Sequence, residues 1–186
     1  VTINSFAQLP PRLINSQVRQ QIQPTNNSRK IVRGLDARII DGVSMVRADI
    51  LDGLHLFLRR ARDSDAPFGG LQLIFVGDLF QLPPVCEEAV ATAFGGNPWK
   101  SPFFFSARCL TDQPVKVTPI LLNQNQRQAD DVNFFRLLNS LRHGRATAEF
   151  LAAMAERAKA QWPPASELTI LTPTKQRAEK FNSTEL

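Results

Sequence analysis

The distribution of apolar and polar positions in the first half of the chain predicts a strand, a helix and a second strand. Residues 37–41 are a short β-branched run that ends in a carboxylate, which favours a buried strand. Apolar side chains recur at intervals of three and four residues between positions 50 and 61, which predicts a helix that ends near Asp63. A continuous apolar run at residues 71–76 predicts the second strand. Elements in this order predict a parallel βαβ unit.

The remaining segments predict more helices than strands. Residues 17–33 are rich in Gln, Asn and Ser, which predicts a surface loop with one short helix. Residues 115–122 predict a third strand, in which Pro119 occupies an edge or a bulge. The same rules predict helices at 130–143, 147–161 and 174–186 and a last strand at 168–171.

The composition is that of a globular protein. Of the 186 residues, 43% are hydrophobic and 21% are charged, which leaves room for one full domain or two partial ones. No apolar run approaches the roughly 20 residues that span a bilayer, and the first residues lack the pattern of a secretion signal. Cys86 and Cys109 form no CxxC pair, and with two histidines a zinc site is implausible. These features argue against a membrane or secreted protein and suit a reducing cytosol.

Positive charge is concentrated at the beginning of the chain. The formal net charge is +5, and residues 1–40 contain six Lys or Arg residues and a single Asp. Residues 41–131 are acidic overall. A basic segment favours a nucleic acid as the partner, although any one of these arginines is better explained as part of a solvated face.

Both of the strands in the predicted parallel unit lead into an aspartate. Asp41 ends the first strand, and Asp78 follows the second strand after Gly77. Ligands of parallel α/β sheets bind outside the carboxyl ends of the strands, so we expect both carboxylates at one edge. Mg²⁺ prefers oxygen ligands on a rigid support, as in P-loop nucleotide hydrolases. The alternative is that either aspartate caps a turn or a helix.

The string GDLFQLPPV at residues 77–85 resembles the third motif of the petite integration frequency family of DNA helicases, which belongs to helicase superfamily one. Six further strings resemble other segments of that family and occur in its order: TINSF (2–6), IIDGVSM (39–45), PFGGLQL (67–73), NQRQ (125–128), FFRLLNSLRHG (134–144) and LTPTKQRAEKFN (171–182). The strings cover nearly the whole chain. An unrelated α/β hydrolase domain therefore fits only if GDLFQLPP is a coincidence.

The resemblance implies an α/β fold of the RecA-like P-loop hydrolase class with a parallel sheet. It implies most of a first lobe at 1–124 and the beginning of a second lobe at 125–186, with the nucleotide between the lobes. The implied activity is ATP-driven unwinding of duplex DNA in the 5′ to 3′ direction, with Mg²⁺ and ATP as cofactors. The implied partners are single-stranded and duplex DNA. The implied protein is a monomer in a bacterial-like cytoplasm, and the implied role is DNA repair, recombination or replication.

Four residues receive nucleotide roles from the resemblance. Asp41 is expected to hold Mg²⁺ on the phosphates, and Asp78 is expected to belong to the same nucleotide site. Gln81 is expected to sense the γ phosphate and to orient the attacking water, the alternative being a loop amide. Arg127 is expected to be an arginine finger, because a planar guanidinium can spread the charge of the phosphoryl oxygens. The alternative for Arg127 is a surface salt bridge.

The first motif supplies the candidate DNA-binding residues. Thr2, Asn4, Ser5 and Phe6 are expected to lie along the single strand, since hydroxyls and amides reach phosphates and a phenyl ring can stack on a base. For Phe6 a core position is an equal alternative. Asn4 replaces the histidine of the family motif, which puts that contact in doubt.

The chain also departs from the family pattern. A P-loop needs GxxxxGK followed by Ser or Thr, and no such string occurs in these residues. The nearest string, GGNPWKS at 95–101, has Trp99 in place of the required glycine. Gly42 stands where the family has its general-base glutamate, and loss of a general base costs about 10²- to 10⁴-fold in rate.

We therefore expect a helicase fragment that lacks the P-loop segment and the end of the second lobe. The fragment itself is expected to be inactive as an ATPase. The alternative is a degenerate helicase lobe that serves as a DNA- or protein-binding module, which the basic residues 1–40 favour.

Overall fold

The computed structural model describes residues 1–96, 98–112, 115–124, 126, 131–161 and 169–185. The chain divides into two compact units, Val1–Leu121 and Leu122–Leu186. The sequence predicts a boundary slightly later, after position 124, and the assignment of the units to two lobes stays a prediction. None of the helices within the described ranges is long and apolar enough to cross a membrane.

Helices account for most of the regular structure in the described residues. In the first unit they are α1 (Ile3–Phe6), α2 (Ser16–Gln21), α3 (Asn26–Arg33), α4 (Ala48–Arg62), α5 (Glu88–Ala91) and α6 (Arg108–Thr111). In the second unit they are α7 (Val132–Arg142), α8 (Ala148–Lys159) and α9 (Lys175–Glu185). Short 3₁₀ turns lie at Val43–Met45, Pro67–Gly70 and Phe104–Ser106.

The first unit contains a two-stranded parallel sheet. Strand β1 is Ala37–Asp41 and strand β2 is Gln72–Val76, and the register pairs Asp41 with Val76. Helix α4 lies between the two strands in the chain. The predicted parallel βαβ unit is therefore confirmed. The predicted end of the helix is confirmed as well, because Asp63 takes a left-handed conformation with φ of 53° that stops α4.

Residues 17–33 are more helical than the sequence predicts, because two polar side chains cap helices there. The side chain of Asn15 accepts a hydrogen bond from the backbone N–H of Val18 at 3.0 Å. The hydroxyl of Thr25 accepts one from the backbone N–H of Ser28 at 3.2 Å. Each bond satisfies one of the free N–H groups at a helix start, so α2 and α3 form where we expected a loop.

Two predicted strands do not form in the part of the chain that the structure describes. Residues 115–122 have no regular structure, and positions 116–122 are exposed. Pro119 has no N–H to donate, and an apolar run becomes a strand only where a neighbouring strand pairs with its backbone. Residues 169–171 of the predicted last strand are also irregular, and Leu168 lies outside the described residues.

Helix α4 forms the centre of the hydrophobic core of the first unit. Burial of an aliphatic or phenyl side chain contributes roughly 1.5–3 kcal/mol. The five apolar positions from which the helix was predicted are all buried: Ile50, Leu54, Phe57, Leu58 and Ala61.

Asp49, near the start of α4, is completely buried and ties the preceding segment to the helix. Its carboxylate accepts hydrogen bonds from Nε and Nη2 of Arg47 at 2.9 and 2.7 Å and from the backbone N–H of Ile14 at 2.9 Å. The hydrogen bond to Asp49 is the main cause that raises the pKa of the Arg47 guanidinium. A bidentate pair with a third donor satisfies a charge that burial would otherwise make costly.

Asp52, one turn further along α4, holds the segment that follows the sheet. Its carboxylate accepts hydrogen bonds from the indole Nε1 of Trp99 at 2.7 Å and from the backbone N–H groups of Arg108 and Cys109 at 3.2 and 2.8 Å. Burial, with the nearby Asp52 carboxylate, raises the pKa of the Cys109 thiol. Cys109 is therefore a protonated packing residue at neutral pH.

Arginines of residues 1–40 satisfy backbone carbonyls at the end of α4. Arg29 donates from Nη1 to the carbonyl of Arg60, and Arg33 donates from Nε to the carbonyl of Ala61 at 3.2 Å. The last carbonyls of a helix have no partner within the helix, and cations are favoured there by the helix dipole. Some of the basic residues for which the sequence favoured a nucleic acid partner therefore stabilise the fold instead.

Replacement of Asp52 by Ala is expected to lower the free energy of unfolding by about 3 kcal/mol, because the buried N–H donors of Trp99 and Cys109 and the partly buried N–H of Arg108 lose their acceptor. Urea unfolding followed by tryptophan fluorescence measures the change. Asp36→Ala is the matched control, since this carboxylate is exposed in the same unit and its loss should matter far less. Equal losses in the two variants would contradict the role of Asp52.

Candidate functional site

The two strands end at the same edge of the sheet, and Gly77 brings their following turns into contact. A Cβ atom at position 77 would lie 3.0 Å from both the backbone nitrogen and Cγ1 of Val43 and 3.3 Å from the backbone nitrogen of Ser44. These distances are too short for an alanine unless the backbone moves. The close approach therefore holds the residues after β1 beside the residues after β2.

Asp41 presents an exposed carboxylate at this edge. Its Oδ1 atom accepts a hydrogen bond from the backbone N–H of Gly42 at 2.8 Å. Gly42 takes a left-handed conformation, with φ of 67° and ψ of 36°, which favours glycine. The Oδ2 atom of Asp41 makes no hydrogen bond to any residue that the structure describes.

Asp78 and Gln81 form a turn just beyond β2. Asp78 accepts hydrogen bonds at Oδ1 from the backbone N–H of Phe80 at 3.0 Å and at Oδ2 from Nε2 of Gln81 at 3.3 Å. The backbone N–H of Gln81 also donates to the carbonyl of Asp78 at 3.0 Å. The Gln81 side chain is exposed, and its amide nitrogen is held by Asp78 while its carbonyl oxygen is left to accept another bond.

These side chains fit magnesium only together with a ligand that supplies more oxygens. Asp41 and Asp78 offer carboxylate oxygens, which a hard cation prefers. No group of three or more His, Cys, Asp or Glu residues among those described is arranged around a metal. Mg²⁺ is commonly held by one or two carboxylates, with phosphates and waters completing its shell, so the donor set is compatible with magnesium nucleotide.

The candidate DNA segment forms the short helix α1 and the residue before it. The hydroxyl of Thr2 accepts a hydrogen bond from the backbone N–H of Ser5 at 3.1 Å, and Nδ2 of Asn4 donates to the carbonyl of Pro10 at 3.4 Å. Ser5 is exposed. Thr2 and Asn4 therefore have structural contacts of their own, while the Ser5 side chain lies open to solvent.

Phe6 is half-buried and packs against the core. Its ring meets the ring of Phe57 edge-on at 5.9 Å between centroids, and the guanidinium of Arg38 lies 4.4 Å from its centroid. Part of the ring surface that a base would need is thus covered. The core position that the sequence left open for Phe6 is observed, and a stacking role stays a prediction.

The structure brings Asp41, Asp78 and Gln81 to one edge of the sheet. Arg127 lies outside the described residues, so its role as an arginine finger stays a prediction. Sequence reasoning missed the buried carboxylates of Asp49 and Asp52. Their spacing of three residues was visible, but on a helix it is equally typical of a solvated face.

The PIF1-like helicase family model matches residues 1–150 of the chain. The chain belongs to this family. It is 36% identical over 150 residues to ATP-dependent DNA helicase PIF1 of Saccharomyces cerevisiae, covering 77% of this chain and 16% of the yeast protein. It is 33% identical over 161 residues to ATP-dependent DNA helicase Pif1 of Bdellovibrio bacteriovorus, covering 83% of this chain and 32% of that protein. The chain thus spans less than a third of either relative.

The fold is similar to that of solved PIF1-like helicases. The Pif1 helicase from Bacteroides in complex with ADP-AlF3 and ssDNA matches with a TM-score of 0.89 and 30% identity, and the match covers all of this chain and 43% of that one. Pif1 helicase from Candida albicans matches with a TM-score of 0.78 and 26% identity, covering 40% of its chain. The predicted RecA-like α/β class is therefore confirmed for this member of the PIF1-like helicases.

Gly77→Ala is expected to destabilise the protein by about 1–3 kcal/mol, because the added Cβ would lie 3.0 Å from the backbone nitrogen of Val43 and would force the backbone to shift. Thermal or urea unfolding measures the loss. Gly96→Ala is the control, since a Cβ there meets nothing within 4 Å and should leave stability unchanged or slightly higher. A harmless Gly77→Ala would show that the turns after β1 and β2 do not pack closely.

Proposed function

We propose that this chain forms part of an ATP-dependent DNA helicase that unwinds duplex DNA in the 5′ to 3′ direction. The observation that carries the proposal is the placement of Asp41 and the Asp78–Gln81 turn at one edge of a parallel sheet in a PIF1-like helicase. The names of the relatives, and the ADP-AlF3 and ssDNA bound by the Bacteroides protein, support it. The monomeric state and the bacterial cytoplasmic location expected from the sequence belong to the same proposal.

In the proposed nucleotide site, Asp41 would hold Mg²⁺ through its exposed carboxylate. Magnesium would supply positive charge that neutralises the phosphate oxygens. The hydrogen bond from Gly42 engages Oδ1 of Asp41 and orients the carboxylate, which leaves Oδ2 for the ion. Asp41 is thus proposed as the protein ligand, with the remaining ligands coming from phosphate and water.

Gln81 is proposed to orient the attacking water, and Asp78 to position Gln81. The bond from Gln81 Nε2 to Asp78 Oδ2 restricts rotation of the amide. The amide oxygen of Gln81 can then accept a hydrogen bond from water. Asp78 acts through Gln81 in this arrangement, and it keeps the place in the nucleotide site that the sequence predicts. Arg127 is proposed to stabilise charge on the phosphoryl oxygens, on the resemblance alone.

Gly42 favours a second candidate function, a helicase-derived module that binds without hydrolysing ATP. A glycine can abstract no proton, and its left-handed backbone costs a side chain about 1–2 kcal/mol. A Cβ at Gly42 would also lie 3.0 Å from Cε of Met45, a flexible side chain that can move. We propose that the 186-residue chain has no ATPase activity by itself.

A chimera tests the helicase proposal. Residues 1–150, the part that the family model matches, replace the corresponding segment of Bacteroides Pif1. We expect the chimera with Gly42→Glu to hydrolyse ATP about 10²- to 10⁴-fold faster than the chimera with Gly42, because a general base is restored. The Gly42→Glu chimera should unwind a forked duplex with a 5′ tail and not one with a 3′ tail.

The control for the chimera is Gly96→Glu, which adds the same side chain in open space and should leave the rate unchanged. Equal rates of ATP hydrolysis in the chimeras with Gly and with Glu at position 42 would contradict a general-base role for that position. If the Gly42→Glu chimera binds DNA but never hydrolyses ATP, the binding module becomes the better description.

Single-stranded DNA binding tests the segment around α1. Ser5→Ala is expected to weaken binding of the 186-residue chain to a labelled oligonucleotide by about threefold to tenfold at low salt, because a hydroxyl contact to phosphate is lost. Fluorescence anisotropy measures the affinity, which should fall steeply as salt rises. Ser16→Ala, another exposed serine, is the control and should have no effect. Equal effects at Ser5 and Ser16 would remove Ser5 from the DNA site.

A further inference from the structure

Arg38, the second residue of β1, lies against the candidate DNA segment. The central carbon of its guanidinium is 4.4 Å from the centroid of the Phe6 ring in α1. Successive side chains of a strand alternate between its two faces, so Arg38 shares a face with the buried Ile40. An arginine can pack its aliphatic part along apolar neighbours and keep its charged end near solvent. Arg38 is partly buried and fits this description.

The Phe6 ring is a fixed support for this guanidinium. Phe57 of α4, which is completely buried, meets the Phe6 ring edge-on at 5.9 Å between centroids. Ala7, the next residue after Phe6, is completely buried as well. A guanidinium over the face of a phenyl ring is attracted by the charge distribution of the ring. The Arg38 guanidinium is thus held beside α1, next to a residue that directly follows the exposed Ser5.

The N–H groups of Arg38 are uncommitted. Within the described residues Arg38 makes no hydrogen bond and no ion pair, not even with Asp36, the single acidic residue among positions 1–40. A guanidinium is always protonated at neutral pH and carries five N–H donors. Most other arginines of the first unit donate to backbone carbonyls or to carboxylates: Arg29, Arg33, Arg47, Arg60, Arg62 and Arg108.

We propose that Arg38 binds a backbone phosphate of the single-stranded DNA that lies along α1. Guanidinium donors match the geometry of phosphate oxygens and form charge-assisted hydrogen bonds with them. Phosphate contacts carry no sequence information, so the contribution of Arg38 should be the same for any base sequence. The inference rests on the DNA contact proposed above for α1, to which it adds a residue from the sheet. Phe6 then acts on DNA through Arg38.

The salt dependence of DNA binding tests the proposal on the 186-residue chain. Fluorescence anisotropy measures the affinity for a labelled single-stranded oligonucleotide over a series of salt concentrations. Arg38→Gln is expected to weaken binding about tenfold at low salt, because a charge-assisted hydrogen bond is lost. It should also make the slope of log affinity against log salt shallower by about 0.7, the value for one phosphate contact on a single strand. A purely structural role for Arg38 would not change this slope.

Two further variants separate the contact from charge and from folding. Arg38→Lys keeps the positive charge, so it should retain the slope and recover part of the affinity, since an ammonium lacks the planar fork. Lys30→Gln removes one charge from another exposed residue of the basic segment and should change neither the affinity nor the slope. Thermal unfolding confirms that each variant is folded.

A double-mutant cycle tests the support that Phe6 gives to Arg38. Phe6→Leu keeps an apolar side chain but removes the ring on which the guanidinium lies. If Phe6 acts through Arg38, Phe6→Leu should weaken DNA binding in the unaltered chain and have no effect in the Arg38→Gln background. Additive losses would show that Phe6 contacts a base by itself, and they would overturn the supporting role.

The outcomes distinguish this inference from the proposed function. If the unaltered chain binds DNA and Ser5→Ala weakens binding, but Arg38→Gln keeps the affinity and the slope, Arg38 is not a phosphate ligand and the α1 site stands without it. Equal changes of slope in Arg38→Gln and Lys30→Gln would also overturn the inference, because they would indicate diffuse attraction. Absence of DNA binding by the unaltered chain at low salt would remove both the α1 site and Arg38's part in it.

Discussion

The first unit depends on two carboxylates buried on one helix. Asp49 and Asp52 are one turn apart on α4, and each accepts three hydrogen bonds from N–H donors. Asp49 binds the chain that precedes the sheet, and Asp52 binds the chain that follows it. Because a buried carboxylate must have its partners, these bonds determine which segments cover the helix. The apolar face of α4 is buried in the core, and the two carboxylates tie the preceding and following segments to the same helix.

The residues of the candidate nucleotide site end or directly follow the two strands that flank α4 in the chain. Parallel strands end on the same edge, so Asp41 and Asp78 reach that edge without any special packing. The close contact of Gly77 with Val43 then decides how near the two turns lie. Asp41 and Gln81 are exposed at this edge, whereas Asp78 is partly buried and accepts hydrogen bonds from Phe80 and Gln81.

The arginines of this unit differ in the partners that they reach. Arg29 and Arg33 donate to carbonyls at the end of α4, where a guanidinium satisfies backbone acceptors that the helix leaves open. Arg59 keeps a buried donor unused, and Arg19 makes no ion pair within the described residues. Counting positive charge along the sequence cannot separate these cases, because each depends on which acceptor lies within reach. The basic beginning of the chain is therefore only partly available to an anionic ligand.

The sequence by itself determined the βαβ unit, the end of α4 at Asp63 and the family, because each rests on local periodicity or on the order of short motifs. It did not determine the burial of Asp52, which reads as a surface residue until Trp99 and Cys109, 47 and 57 positions later, close over it. The strand predicted at 115–122 did not form, since an apolar run becomes a strand only beside a partner. Tertiary structure decided these points because the residues that bury a side chain or bond to it are distant in the chain. Local sequence patterns do not predict such contacts.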